Sequence, residues 1–137
     1  MARFDTTGLD DIISQMERMG QTVGPVAEEM CMAAVEEIRD AWRASARSHG
    51  LVDTGAMIDS IGFGAAPVRA GAILYNDVYP QGKDAKGVRN AEKAFILNYG
   101  KSNYPAQHWI DDADEKSAEP VQSRIEAIWD RFLNENG

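Results

Sequence analysis

Cysteine is nearly absent from this sequence, since the 137 residues contain only Cys31. One cysteine cannot close a disulfide within the chain, and no Cys/His cluster has the spacing of a zinc site. The glycine pair Gly62 and Gly64 is followed by Pro67 rather than by a third glycine, which excludes a dinucleotide-binding loop. The sequence therefore predicts no disulfide framework, no metal and no cofactor.

Long apolar runs are also lacking. No stretch approaches the ~20 apolar residues that a membrane span requires, and the first residues contain no apolar run typical of a signal peptide. We expect a soluble protein of a reducing cytoplasm that does not associate with membranes.

Positive charge is scarce overall and concentrated in one segment. Fourteen Lys and Arg stand against 22 Asp and Glu, a net charge of −8 that disfavours general nucleic-acid binding. Residues 81–101, however, carry five bases against two acids. Because this segment combines glycines with charges, we predict a mobile loop at about 80–90. The candidate partner-binding cations are Lys83, Lys86, Arg89 and Lys93.

The spacing of apolar residues predicts an α+β fold in a single domain, 1–137. Period-3.6 patterns predict helices at 9–19, at 25–47, at 90–100 and from 110 onward, the last one broken or kinked by Pro120. Residues 95–97, Phe-Ile-Leu, also fit a strand, and we choose the helix. Short β-rich runs at 61–65, 72–75 and 78–79 predict strands of one antiparallel sheet. We expect a long N-terminal helix and C-terminal helices packed on a small antiparallel sheet.

Two further sets of side chains are candidates for partner contacts. Arg39, Arg43 and Arg47 recur every four residues and thus share one helix face, which is either solvated or turned toward an acidic patch of a neighbouring subunit. Trp109 follows an irregular segment and is expected to be partly exposed.

The segment 51–56, Leu-Val-Asp-Thr-Gly-Ala, has two interpretations. Retroviral-type aspartic proteases present a catalytic aspartate in such a motif, and Asp53 would then act in a homodimer that shares one proton between two carboxylates. In the other interpretation Asp53 or Thr54 caps a short helical turn that ends near Ser60, and Gly55 permits a tight backbone approach.

The order of motifs from about residue 33 to the C-terminus resembles one known family. A long helix precedes an Asp-Thr-Gly stretch and a Ser-Ile pair; two strands, a variable loop, an Asn-Tyr-Gly stretch and a Tyr-Pro-Ala stretch then lead into the last helix. In this order the chain resembles the lambdoid-type bacteriophage tail-completion proteins, also called head–tail connector or minor tail proteins. The residues that carry the resemblance are Asp53, Thr54, Gly55, Ser60, Ile61, Asn98, Gly100, Tyr104, Pro105 and Trp109.

The resemblance implies a non-enzymatic protein of virion assembly, encoded by a phage or a prophage. It would sit at the head–tail junction after assembly in the host cytoplasm, form a homo-oligomeric ring, and bind tail-tube, tail-terminator or connector proteins while DNA passes without specific binding. Asp53, Thr54, Gly55, Ser60, Gly100 and Pro105 would be structural. Asn98 stands where many relatives have Glu.

Overall fold

A computed structural model describes residues 2–6, 23–51, 55–70, 73–84, 86–100 and 105–136. Within these ranges the chain forms four helices and a four-stranded antiparallel sheet, and the predicted α+β class is confirmed. The elements are β1 (Ala2–Asp5), α1 (Val23–Ser48), α2 (Ala56–Ser60), β2 (Ile61–Gly62), β3 (Val68–Ala70), β4 (Ile73–Pro80), α3 (Asn90–Tyr99) and α4 (Trp109–Asn136). The helix predicted at 9–19 lies outside the described residues.

The two long helices α1 and α4 pack against each other in antiparallel orientation. Polar contacts join them at both ends and in the middle: Arg131 with Glu29, Arg124 Nη1 with Glu36 Oε2 at 2.9 Å, and His49 Nε2 with Asp112 Oδ2 at 2.7 Å. An apolar cluster lines the half of this interface that contains Met30, Ile128 and Phe132. No helix of the described ranges is long and apolar enough to cross a bilayer.

Two fully buried tryptophans occupy the other half of the interface. The rings of Trp42 on α1 and Trp109 on α4 meet edge to face, with their centroids 5.5 Å apart. Trp42 Nε1 donates to Asp114 Oδ1 at 2.8 Å, and Trp109 Nε1 donates to the Ala94 carbonyl at 3.2 Å. The expectation that Trp109 is partly exposed is therefore wrong: its ring is buried, and its N–H is hydrogen-bonded inside the fold.

The sheet is built around β4, which pairs with β1 on one side and with β2 on the other, while β3 also pairs with β4. Leu74, Asn76 and Val78 are buried, and the residues between them are half-buried, as expected for a strand with one face on the core. Val78 joins the core cluster that contains Trp42. The sheet thus packs its inner face on α1.

β4 is one continuous strand, whereas the sequence predicted two runs separated by Asn76 and Asp77. Asn76 exchanges two hydrogen bonds with the backbone of Gly64, from Nδ2 to its carbonyl (3.0 Å) and from its N–H to Oδ1 (3.1 Å). Asp77 lies opposite Arg3 of β1 and accepts from its Nε at 2.6 Å. Both residues, typical of turns, are satisfied by partners that are distant in sequence.

Other element boundaries also differ from the prediction. The strand predicted at 61–65 is reduced to β2, because the Gly64 backbone bonds the Asn76 side chain rather than a strand. β1 was not predicted. Pro120 does not break the C-terminal helix, since α4 is continuous from Trp109 to Asn136.

The start of α4 is held by the end of α3. Gly100 adopts φ +79° and its N–H donates to Ile96 O at 2.7 Å, which closes the helix. The fully buried Asn98 then caps α4 from outside: its Oδ1 accepts from the N–H of Ile110 at 2.8 Å. Asn98 O also accepts from His108 N at 3.1 Å. One side chain therefore joins two helices.

We predict that Asn98→Ala lowers the free energy of unfolding by about 1–3 kcal/mol, because it leaves the buried N–H groups at the start of α4 without an acceptor. Urea denaturation followed by far-UV circular dichroism measures this. The matched control is Asn134→Ala on the exposed face of α4, which should change stability by less than about 0.5 kcal/mol. Equal effects of the two substitutions would contradict the capping role.

Candidate interaction surface

Residues 82–84 and 86–89, here called the cationic turn, form a closed turn between β4 and α3. Lys83 and Arg89 face each other in an isolated antiparallel bridge. The turn is closed by Asn90 N donating to Gly82 O at 3.0 Å and by Asp84 N donating to Val88 O at 2.8 Å. The predicted mobility of this segment stays a prediction, but its shape is a hairpin rather than an extended excursion.

Asp84 organises the cationic turn. Its Oδ1 accepts from the N–H groups of Lys86 (2.8 Å) and Val88 (2.9 Å), and its Oδ2 forms an ion pair with Lys93 of α3. The Lys93 ammonium and then these backbone donors lower the pKa of the Asp84 carboxyl to about 2. Lys93, predicted as a partner-binding cation, is thus engaged in holding the turn to α3.

Three cations of the turn, Lys83, Lys86 and Arg89, remain exposed. None of them forms an ion pair with another described residue. The bridge places Lys83 directly opposite Arg89, and like charges in such a cross-strand pair destabilise it. The turn therefore presents concentrated positive charge that the described part of the chain does not neutralise.

An exposed aromatic side chain lies on the helix that follows the turn. Tyr99 of α3 is 65% exposed and stacks on Phe95, with ring centroids 6.2 Å apart. Sequence reasoning missed Tyr99. The sequence did contain a signal for an exposed aromatic residue. The apolar residues of α3 are too many to fit on its buried side, which contains Ala94 and Asn98.

The three arginines of the predicted α1 stripe have different surroundings within the chain. Arg43 Nη2 donates to the carbonyls of Ile61 (2.8 Å) and Asp59 (3.3 Å), so it ties α1 to the end of α2. Arg39 bonds Asp40 at 3.0 Å, and its guanidinium lies 5.2 Å from the Phe63 ring centroid. Arg47 is exposed in the last turn of α1 and is the member that remains available to a partner among the described residues.

The Asp-Thr-Gly motif is described only from its glycine onward. Asp53 and Thr54 lie outside the described residues, so their predicted capping role stays a prediction. Gly55 has φ +73° and precedes α2, a conformation that favours glycine. Ser60 Oγ donates to Met57 O at 2.6 Å and ends this short helix at the entry to β2.

The two histidines are separated and each contacts a different carboxylate. His49 Nε2 lies 2.7 Å from Asp112 Oδ2, and His108 Nδ1 lies 3.0 Å from Asp111 Oδ2. In the described ranges no three His, Cys, Asp or Glu side chains are grouped as a metal site.

Comparison with family models, curated proteins and solved structures found no match to this chain.

We predict that Asp84→Ala opens the cationic turn without unfolding the protein, because two backbone donors and Lys93 lose their acceptor. Amide hydrogen exchange at Lys86 and Val88 should accelerate, while exchange in α1 stays unchanged.

A pH titration tests Asp84 in the unaltered chain. The folded pKa of its carboxyl lies below the usual value near 4, so the carboxylate's stabilisation is present above pH ~4 and is lost as the pH falls toward 2. An NMR titration of the Val88 amide shift should have its midpoint near 2; a midpoint near 4 would contradict this assignment.

Proposed function

We propose that this chain is a structural protein of bacteriophage morphogenesis, a tail-completion or head–tail joining protein. It would assemble as a ring and bind tail-tube, tail-terminator or connector proteins at the head–tail junction. The proposal rests on the resemblance of the sequence motifs, on their placement in the fold, and on the cationic turn.

The observation that carries the proposal is the position in the fold of those motif residues that the structure describes. In the family that the chain resembles, the Thr-Gly stretch enters the sheet, and here Gly55 and Ser60 bracket α2, which leads directly into β2. The family's second glycine and Pro-Ala pair lead into the last helices, and here Gly100 ends α3 shortly before Pro105 and the start of α4. These placements agree with what the resemblance implies.

The cationic turn supplies a contact surface of the kind that joining requires. Its three exposed cations lie on a turn whose backbone Asp84 bonds and which continues into α3, so the backbone that carries them is hydrogen-bonded within the chain before a partner binds. A preformed surface loses little conformational entropy on association. Opposite charges steer encounter with an acidic partner and restrict its orientation. The acidic remainder of the chain would disfavour adhesion to DNA passing through the ring.

The aspartic-protease alternative gains no support from the described geometry. That chemistry requires a β-rich scaffold in which two chains present their aspartates to each other. In this chain the motif instead follows the 26-residue helix α1 and precedes the helix α2.

We predict that replacing Lys83, Lys86 and Arg89 with Ser blocks the joining of heads to tails while the fold survives. Loss of the three exposed charges removes the electrostatic contact, and Lys93 is kept because it holds Asp84. The measurement is complementation of a phage or prophage that lacks this gene, with free heads and free tails counted by electron microscopy. Heads and tails should accumulate separately.

The matched control is Arg69→Ser, which removes an exposed cation from β3 without touching the turn. It should support infectious particles at the unaltered level. Normal particle yield from the triple variant would overturn the role of the turn.

A further inference from the structure

We infer that the cationic turn of one copy binds the outward face of α4 on the next copy. This inference rests on the proposed function and names the two surfaces through which the ring would form. It is carried by the distribution of charge between the two faces of α4 and by the unpaired cations of the turn.

The basic side chains near the middle and end of α4 face α1. Arg124 Nη1 bonds Glu36 and the Ala33 carbonyl, and Arg131 pairs with Glu29. Both arginines stay partly exposed, but their charges lie against the carboxylates of α1 rather than beside the outer acids of α4. The α1–α4 interface thus uses positive charge that would otherwise balance the acids of α4.

The opposite face of α4 is left acidic. Glu115, Glu119, Glu126 and Asp130, here called the acidic face, are all exposed. At about 100° per residue they fall within an arc of roughly 60°, on the side away from the buried Ile128. Glu126 accepts a hydrogen bond from Gln122, and none of the four pairs with a cation of the described residues. Carboxylates four residues apart repel each other, so this arrangement costs stability within the single chain.

The cationic turn has the complementary charge and the same lack of neutralisation. Lys83 and Arg89 oppose each other across a bridge, and Lys86 lies between them in sequence. The acidic face spans about 22 Å along the helix axis, at ~1.5 Å per residue, which is ample for one compact turn. The turn therefore carries unpaired positive charge and the acidic face carries unpaired negative charge, and within the described residues of one chain the two do not pair.

In the proposed ring the contact between copies is head to tail, since a reciprocal contact between two copies would close as a dimer instead. Each copy then uses its turn toward one neighbour and its acidic face toward the other, and such contacts close into a ring when the rotation between subunits allows. The partner of the turn is thus another copy of this chain. Charge complementarity sets the orientation, and salt should weaken the contact.

The first test compares two single charge reversals in the full chain, Arg89→Glu in the turn and Arg69→Glu in β3. Both residues are exposed arginines without an ion pair among the described residues. Sedimentation velocity at low ionic strength should show concentration-dependent self-association of the unaltered chain. R89E should weaken it by about tenfold or more, while R69E should leave it within about twofold. Equal weakening, or a monomeric unaltered chain at millimolar concentration, overturns the inference.

The second test uses complementary variants. K86E/R89E carries a net acidic turn beside the acidic face, and E115K/E119K/E126K/D130K carries two basic surfaces, so each should be monomeric alone. Mixed in equal amounts they should assemble, since each surface again meets its opposite. A mixture that stays monomeric overturns the inference. Binding of a DNA duplex is measured for the same variants, and a turn variant that loses DNA binding but still self-associates also overturns it.

The two proposals fail separately. Self-association with these charge dependences, but no rescue of a phage lacking the gene, would reject the assembly function and retain the interface. Rescue by a chain that never self-associates would reject the interface and retain a contact of the turn with a different protein.

Discussion

The edge-to-face contact between Trp42 and Trp109 is the constraint on which the rest of the structure depends. It positions α4 against α1, and the N–H of Trp109 extends the contact to the Ala94 carbonyl of α3. Asn98, one turn further along α3, then supplies the acceptor for the start of α4. Aromatic contacts of this kind combine a large buried area with directional geometry, so they align the elements as well as stabilise them.

Helix alignment also decides where charge remains exposed. Antiparallel packing brings the carboxylates of α1 opposite Arg124 and Arg131, and these exposed pairs contribute little stability individually. Their larger effect is on the surface, since they hold both arginines of α4 against α1 and leave Glu115, Glu119, Glu126 and Asp130 without an ion pair among the described residues. At the cationic turn, Asp84 recruits Lys93 and backbone N–H groups and leaves the other bases exposed. Opposite charges are thus segregated on two parts of the molecule, as the proposed ring contacts would require.

Sequence reasoning succeeded where a pattern depends on neighbours within a few residues. The helix predicted at 25–47 is α1, Val23–Ser48, and the one predicted at 90–100 is α3, Asn90–Tyr99. It failed at β4, where Asn76 and Asp77 resemble a turn until Gly64 and Arg3 supply their hydrogen bonds. The predicted cations Lys83, Lys86 and Arg89 are exposed, but the partners of Arg43 and Lys93 were not predictable, because each depends on a contact between separate elements.

Amphipathic period and local composition act over short distances, so the long helix, the fold class and the concentration of bases between β4 and α3 could all be predicted from the sequence. Packing alone explains three other features: Trp109 is buried, α4 is continuous through Pro120, and Asp84 closes the cationic turn. Each of these depends on a partner many residues away or on exact backbone geometry. The burial of a side chain and its hydrogen-bond partners are properties of the packed chain, and a local sequence pattern does not predict them.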